Sequence, residues 1–419
     1  MTGQSEQQAD VIVVGAGPAG SATATYLATG GLDVLVLEKA TFPREKVCGD
    51  GLTPRAVREL DYLGVDPTGW TSNIGLRIWS HRTYPYLLPW PQLKDFPSIG
   101  YVRHRADFDA QLARHAASRG ARVEYDVAVT EPIVDRRNQV VGVVAKDGRR
   151  FSAPVVVAAD GNSSRLAVQL GWDRRVDRPL GVAVRAYYES PRQGEDWIES
   201  WLELWDGVPG KSNLLPGYGW AFPMGDGTCN VGLGITNTSP AFGHTDYRTL
   251  LRRWLDTTPA SWGFREANRV SPIRGAALPM GFSRSAEYRA GLLLVGDAAG
   301  LISPFNGEGI SYALESGRYA ARHIAEAFAA GVRTTAGEQA LSRYPVRLRA
   351  EWGRHFRLGN WFLKLIGRPE LMKIASHYLL PLPGMPMFVH RTLANLIDET
   401  PGDIYDLLVH GLRRLVPSV

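Results

Sequence analysis

Three glycines in the string Gly15-Ala-Gly-Pro-Ala-Gly20, and an acid at Glu38, have the types and spacing to hold a pyrophosphate and a ribose. Gly15 allows a tight turn, Gly17 lets backbone N–H groups reach a pyrophosphate, and Gly20 lets a helix pack closely. A helix N-terminus at that point favours phosphate charge. Glu38 can accept hydrogen bonds from an adenosine ribose. A second string, Phe42-Pro-Arg-Glu-Lys-Val-Cys48-Gly49-Asp50-Gly51, carries a thiol in a glycine-rich loop. A free thiol with a pKa of about 8.5 is protonated at neutral pH and can donate a proton; the same residue also suits a small buried hydrophobic position. In Tyr218-Gly-Trp220-Ala-Phe222-Pro223 the three aromatics alternate, so they point to one face of a strand, as core or as pocket wall. Cys229, in a predicted strand beside Asn230, reads as structural.

These groups need elements to position them. Residues 11–14 form a short β-branched run, consistent with a buried strand, and small residues continue from the glycines through Ala28 as a helix pressed on a sheet requires. Residues 33–38 read as a second strand ending in the acid. This is the order of a dinucleotide-binding βαβ unit, and alone it fits NAD and FAD equally. Residues 155–161 are a strand ending in Asp160-Gly161, and residues 291–297 a strand ending in Gly296-Asp297. Ser303-Pro-Phe-Asn-Gly307-Glu-Gly309-Ile310 then runs into a predicted helix over 311–321.

With these pieces in order, the chain resembles the flavoprotein superfamily that includes p-hydroxybenzoate hydroxylase. The Cys-Gly-Asp-Gly string, and the Tyr-x-Trp-x-Phe-Pro strand followed by Gly232-Leu-Gly234, are similar to the geranylgeranyl reductase family within it. The fuller strings Cys48-Gly-Asp-Gly-Leu-Thr-Pro-Arg55, Leu215-Pro-Gly-Tyr-Gly-Trp-Ala-Phe-Pro223 and Asn306-Gly-Glu-Gly-Ile310 look most like its actinobacterial branch, which saturates one double bond of the menaquinone isoprenoid tail. The resemblance runs from about residue 9 to about residue 330. It implies FAD as cofactor, with Asp297 on the ribityl chain, the 307–310 turn against the flavin ring, and Arg105 contacting FAD. The implied cofactor residues are Gly15, Gly17, Pro18, Ala19, Gly20, Glu38, Lys39, Cys48, Gly49, Arg105, Asp160, Gly161, Gly296, Asp297, Gly307, Gly309 and Ile310. The implied catalytic residues are Cys48, Tyr218 and Trp220. An isolated alkene is not polarised by a carbonyl, so its reduction needs apolar walls and one well-placed acid. The implied substrate is a prenyl lipid or prenylquinone. No second nucleotide-binding unit identifies the electron donor, NADPH or another reductant. A flavin monooxygenase acting on an aromatic or polyketide-type substrate shares the FAD motifs and is the rival reading. A halogenase would carry Trp-x-Trp-x-Ile-Pro, and a lipid escort would not need so complete a set of flavin contacts.

The expected fold class is α/β: a Rossmann-like FAD-binding domain from 1–70, 100–175 and 281–330, an interleaved antiparallel-sheet substrate domain from 71–99 and 176–280, and a helical C-terminal region over 331–419. Alternating runs at 181–188, 200–204 and 229–235 supply the second sheet. Of 419 residues 44% are hydrophobic and 21% charged, which excludes a disordered chain, a collagen and a coiled coil. Two cysteines make no disulfide framework, no CxxC points to zinc, and no metal site is expected. The polar start, Met1 to Asp10, lacks a signal-peptide pattern, and no apolar run nears the ~18 residues of a membrane span. A cytoplasmic protein is expected.

The net charge is +5, yet residues 341–391 hold nine basic residues and only two acidic ones, Glu351 and Glu370. Such a segment suits an anionic surface or a solvated face. Residues 352–366 mix Trp352, Phe356, Trp361 and Leu365 with Arg354, Arg357 and Lys364. This predicts docking on an anionic membrane, at the inner face of the cell membrane, against the alternative of a helix packed on the FAD domain. The aromatics exceed what phosphate contact needs, so no nucleic-acid partner is expected.

Overall fold

The computed structural model describes residues 7–81, 84–239 and 242–418; positions 1–6 of the polar start lie outside the described residues. Val11–Val14 is buried along its whole length and pairs in parallel with Val34–Leu37 on one side and Val155–Ala158 on the other, both equally buried. Unbroken apolar strands suit a sheet covered on both faces. The six-stranded sheet runs Tyr288–Arg289, Leu292–Leu294, Val155–Ala158, Val11–Val14, Val34–Leu37, Arg122–Glu124, and only its Tyr288–Arg289 edge is antiparallel. The helices Pro18–Thr29 and Ile310–Ala329 pack together closely: a Cβ on Gly317 would lie 2.7 Å from the Ala19 carbonyl oxygen. Gly15, Glu38, Asp160 and Asp297 all follow the carboxyl ends of parallel strands, where open α/β sheets bind ligands.

A seven-stranded sheet runs Arg274–Pro279, Leu180–Glu189, Thr228–Thr236, Gly217–Pro223, Trp197–Trp201, Gly75–Trp79, Tyr86–Pro89. It is antiparallel except where Trp197–Trp201 meets Gly75–Trp79. The alternating run at 200–204 is broken: one strand ends at Trp201 and a separate two-residue strand, Leu204–Trp205, follows.

The last fifth of the chain is helical, with Thr335–Ile366, Pro369–Ile374, Met385–Leu393 and Ile404–Arg414. Its placement corrects the expectation for residues 352–366. Trp352 is 1% exposed and Phe356 0%, and their rings meet Tyr312 at centroid distances of 5.2 and 5.0 Å. Four residues apart, they share the stripe of Thr335–Ile366 that faces the core, so neither can touch a membrane. Of the large apolar residues in 352–366, Trp361 and Leu365 are the ones that turn outward, 48% and 52% exposed. Among the described residues no helix is long and apolar enough to cross a membrane.

Candidate functional site

One cavity of about 790 Å³ runs from the glycine turn, past Cys48, into an aliphatic arm. Its first part is a backbone cradle at the glycine turn. Gly15 has φ +101°, and a Cβ there would lie 2.5 Å from the Ala159 carbonyl oxygen. A Cβ on Gly17 would meet only the Arg44 guanidinium, at 3.7 Å, so its space is open. No side chain caps the Pro18–Thr29 helix, and none caps Ile310–Ala329, whose first residues also line the cavity. Two uncapped helix N-termini thus present backbone N–H groups and positive dipole ends to the same space.

The acids around this cradle are held differently. Glu38 accepts the Ala16 N–H at 2.8 Å and the Ala40 N–H at 3.1 Å, which fixes its carboxylate at the end of the second strand. Asp160 accepts the Arg165 N–H at 2.8 Å through one oxygen, while its other oxygen is buried without a partner; burial pushes its pKa up. Arg44 bridges to Asp109 at 2.9 Å, and Arg105 forks onto the same Asp109 with two bonds of 2.8 Å. An orphaned carboxylate oxygen, an open glycine and two uncapped helix ends are what an extended dinucleotide would satisfy, so these residues fit FAD.

The second part of the site is built by glycines that let aromatic rings lie flat. Trp220 pairs across the sheet with Gly232, and a Cβ there would sit 2.3 Å from the indole. Tyr218 pairs with Gly234. The loop at Cys48 then lies on the exposed face of this strip: Cβ atoms on Gly49 and Gly51 would fall 3.1 and 2.9 Å from the Phe222 ring. Tyr218, Trp220 and Phe222 all line the cavity, so the strand face is a pocket wall, while core residue Trp254 crowds Gly219 on the opposite face. The Trp220 indole N–H donates to Asn230 at 2.9 Å. Cys48 is half-buried and lines the cavity; burial pushes its thiol pKa up, and the nearby Arg105 guanidinium pulls against that. Cys229 is buried in the sheet, 1% exposed, and does not line the cavity.

Most of the sequence-predicted site residues meet in this cavity: Gly15, Gly17, Pro18, Ala19, Glu38, Lys39, Cys48, Gly49, Arg105, Asp160, Gly161, Asp297, Gly307, Gly309, Ile310, Tyr218 and Trp220. Gly20 and Gly296 do not line it. A Cβ on Gly20 would lie 1.9 Å from the Gly15 carbonyl oxygen, so its role is the tightness of the turn. Gly296 has φ +57° and sits against Ala19 and Ala313, with its N–H on the Ser316 hydroxyl at 2.9 Å. Among the lining residues that sequence reasoning did not assign to the site are the charged Arg44, Asp50 and Glu308. Glu308 accepts the Thr53 hydroxyl at 2.6 Å, and burial pushes its carboxyl up. The available signal was a charge inside each glycine-rich string.

The aliphatic arm is lined by Leu76, Ile78, Trp90, Ile198, Phe362, Ile366, Met372, Leu380, Met385 and Val389, among others. His390 also lines it; burial lowers its pKa to about 4, so the imidazole is neutral. Leu365 and Leu379 both line the cavity and stand about half exposed, which places the mouth of the arm between them. Outside the cavity, His81, Glu203 and His377 gather their ligand atoms within 4.8 Å, a group of the kind that holds a metal ion. No sequence motif flags it, because its members come from distant segments.

Residues 8–352 match the FAD binding domain family. The chain is 35% identical over 400 residues to menaquinone reductase of Mycolicibacterium smegmatis, covering 94% of each. It is 33% identical over 356 residues to digeranylgeranylglycerophospholipid reductase 2 of Methanopyrus kandleri, covering 83% of this chain and 84% of that one. A geranylgeranyl bacteriochlorophyll reductase-like protein of Thermoplasma acidophilum, 24% identical, shares the fold with a TM-score of 0.77 over 97% of this chain and 100% of that one. The match to FAD-binding proteins spans the cradle, and the match to reductases extends through the aromatic strip and the aliphatic arm: the chain belongs to the geranylgeranyl reductase family of FAD-dependent oxidoreductases.

Proposed function

We propose that this protein saturates a C=C bond of an isoprenoid chain, in one isoprene unit of a menaquinone tail, and collects that substrate from an anionic membrane surface. The observation that carries the reading is the continuity of one cavity: dinucleotide cradle, thiol and aliphatic arm are a single space. When bound, FAD supplies the two-electron reduction. The chain supplies the rest. The aliphatic arm holds a prenyl chain and excludes water. An unpolarised alkene also needs a proton, and Cys48 Sγ holds one at neutral pH because burial disfavours the thiolate. The Tyr218 hydroxyl lines the same wall but is engaged by a backbone carbonyl, and burial pushes its pKa well up, so its part is positioning. The menaquinone reductase relative, similar over nearly the whole chain, favours a quinone tail over a glycerophospholipid.

The membrane reading is supported by the arm's mouth. Trp361, Leu365, Ile374, Tyr378, Leu379 and Leu382 are exposed there, interleaved with exposed Lys364, Arg368 and Lys373. A nearly water-insoluble tail is handed over most directly where such a collar rests on lipid.

The test is mass spectrometry of quinones from cells with and without the gene, paired with an anaerobic assay. Chemically reduced protein makes the assay independent of whether NADPH or another reductant is the natural donor. A two-dalton gain in the tail without O2 is expected. A requirement for O2, or a sixteen-dalton gain, would establish the monooxygenase instead.

A further inference from the structure

Asp50 stands between Gly49 and Gly51 with φ +65°, a conformation uncommon for a residue that carries a side chain. Glycine would adopt it without strain, as its two neighbours show no side chain is needed to fill the loop. Instead the loop buries a carboxylate completely, which is costly unless the group is bonded. It is bonded from three directions. The Tyr187 hydroxyl donates at 2.5 Å, the Asn230 amide at 2.8 Å and the Arg105 backbone N–H at 3.2 Å. The same Asn230 amide also donates to the Cys48 carbonyl at 2.9 Å, and Arg185 reaches that carbonyl at 3.3 Å. The residues that fix the acid therefore fix the backbone of the cysteine. Cys48 lies two residues from Asp50 in this frame, and Arg105, whose backbone N–H bonds the Asp50 carboxylate, also acts on the thiol through its guanidinium charge.

We propose that Asp50 is the positioning residue of Cys48: its buried carboxylate, tied through the Asn230 amide to the Cys48 carbonyl, fixes the loop that carries the sulfur at the cavity, and its charge opposes that of Arg105 beside the thiol. The proposal rests on the reading that Cys48 is the proton-holding group of the site. The charged and titratable groups facing the pair are Arg105 from the Arg105–Ser118 helix, Tyr187 and Arg185 from Leu180–Glu189, His104, and Tyr218 from the aromatic strand. Burial pushes the Asp50 carboxyl up, and its bonds from Tyr187 and Asn230 with the nearby Arg185 charge pull it back down. Of the other acids close by, Asp109 is forked onto Arg105 and Glu45 pairs with Arg185, which leaves Asp50 as the acid whose charge acts on the sulfur. A negative neighbour disfavours the thiolate, so its removal must make the sulfur ionise at lower pH. A merely structural acid would change stability and leave that titration where it was.

The experiment uses the FAD-loaded protein with Cys229→Ala, leaving Cys48 as the sole thiol. The rate of iodoacetamide labelling of Cys48 is followed by mass spectrometry against pH. In Asp50→Asn, which keeps the shape and tolerates the left-handed backbone, the profile is expected to move down by about one pH unit, with labelling about tenfold faster below the transition. Asp50→Gly, free of backbone strain, repeats the test should the asparagine variant fail to fold, and the same downward shift is expected. A profile superimposable on the parent in a variant with full FAD content overturns the proposal. The outcome is separable from the donor reading: normal turnover in Cys48→Ala removes the proton-donor role, while the labelling profile still reports what Asp50 does to the thiol.

Discussion

The Tyr218 hydroxyl donates to the Asn306 backbone carbonyl at 2.6 Å, joining the aromatic strand to the glycine turn that opens the Ile310–Ala329 helix. The bond links the two sheets' contributions across the cavity. Tyr218→Phe loses one net hydrogen bond, about 1 kcal/mol. Turnover is expected to fall only a few fold with FAD content intact. A loss as large as that of Cys48→Ala would mean that the phenol, not the thiol, carries the proton.

Cys48→Ala is expected to slow alkene reduction by about 10²–10⁴-fold, the usual cost of removing a general acid. FAD content and the rate of flavin reduction should be unchanged. Near-normal turnover would show that the thiol only packs.

Two glycines three residues apart should fail in different ways. Gly17→Val has open space and is expected to fold with the melting temperature of the FAD-free parent but to bind no FAD, since its side chain occupies the pyrophosphate position. Gly20→Val collides with the Gly15 carbonyl and is expected to destabilise the turn itself. Absorbance at the flavin band together with thermal melting separates the two; full FAD in Gly17→Val would remove the cradle assignment.

Acid should weaken the fold through buried histidines. Burial lowers His390 to about 4 and His355 well below its ordinary value, so each is neutral when folded. Between about pH 6.5 and 4 the unfolded chain binds more protons than the folded one, and stability rises with pH. The His390 contribution is present above about 6.5 and lost as pH falls toward 4, at most roughly 3 kcal/mol. Denaturant titrations of His390→Leu should show a flatter acid limb. An unchanged slope would mean that the ring is protonated in the fold.

Membrane binding should follow the exposed collar and not the buried stripe. A double Leu365→Asp, Leu379→Asp variant is expected to lose sedimentation with anionic vesicles at low salt. Each basic neighbour contributes about 1 kcal/mol, which salt screens. Trp352→Ala should instead lose about 3–5 kcal/mol of stability as a core truncation. Absence of sedimentation of the parent protein would leave the collar without a lipid partner.

How much of this was legible beforehand depends on distance along the chain. The cradle was readable because its parts are local: a buried strand, a glycine turn and a helix follow within twenty residues, and the backbone preferences of glycine act there directly. The strand ends at Asp160 and Asp297, and the alternation of Tyr218, Trp220 and Phe222, were readable for the same reason. Their company was not. That Gly232 exists to receive the Trp220 ring, that Asp50 is held by Tyr187 and Asn230, and that Glu308 meets Thr53 depend on which strands pair and which loop lies over them. Trp352 and Trp361 show the limit most directly. They lie on one helix with similar neighbours, and periodicity assigns each to a stripe. Which stripe is covered is decided by the Ile310–Ala329 helix packed beside it, so Trp352 became core while Trp361 stayed at the surface, beside the mouth of the arm.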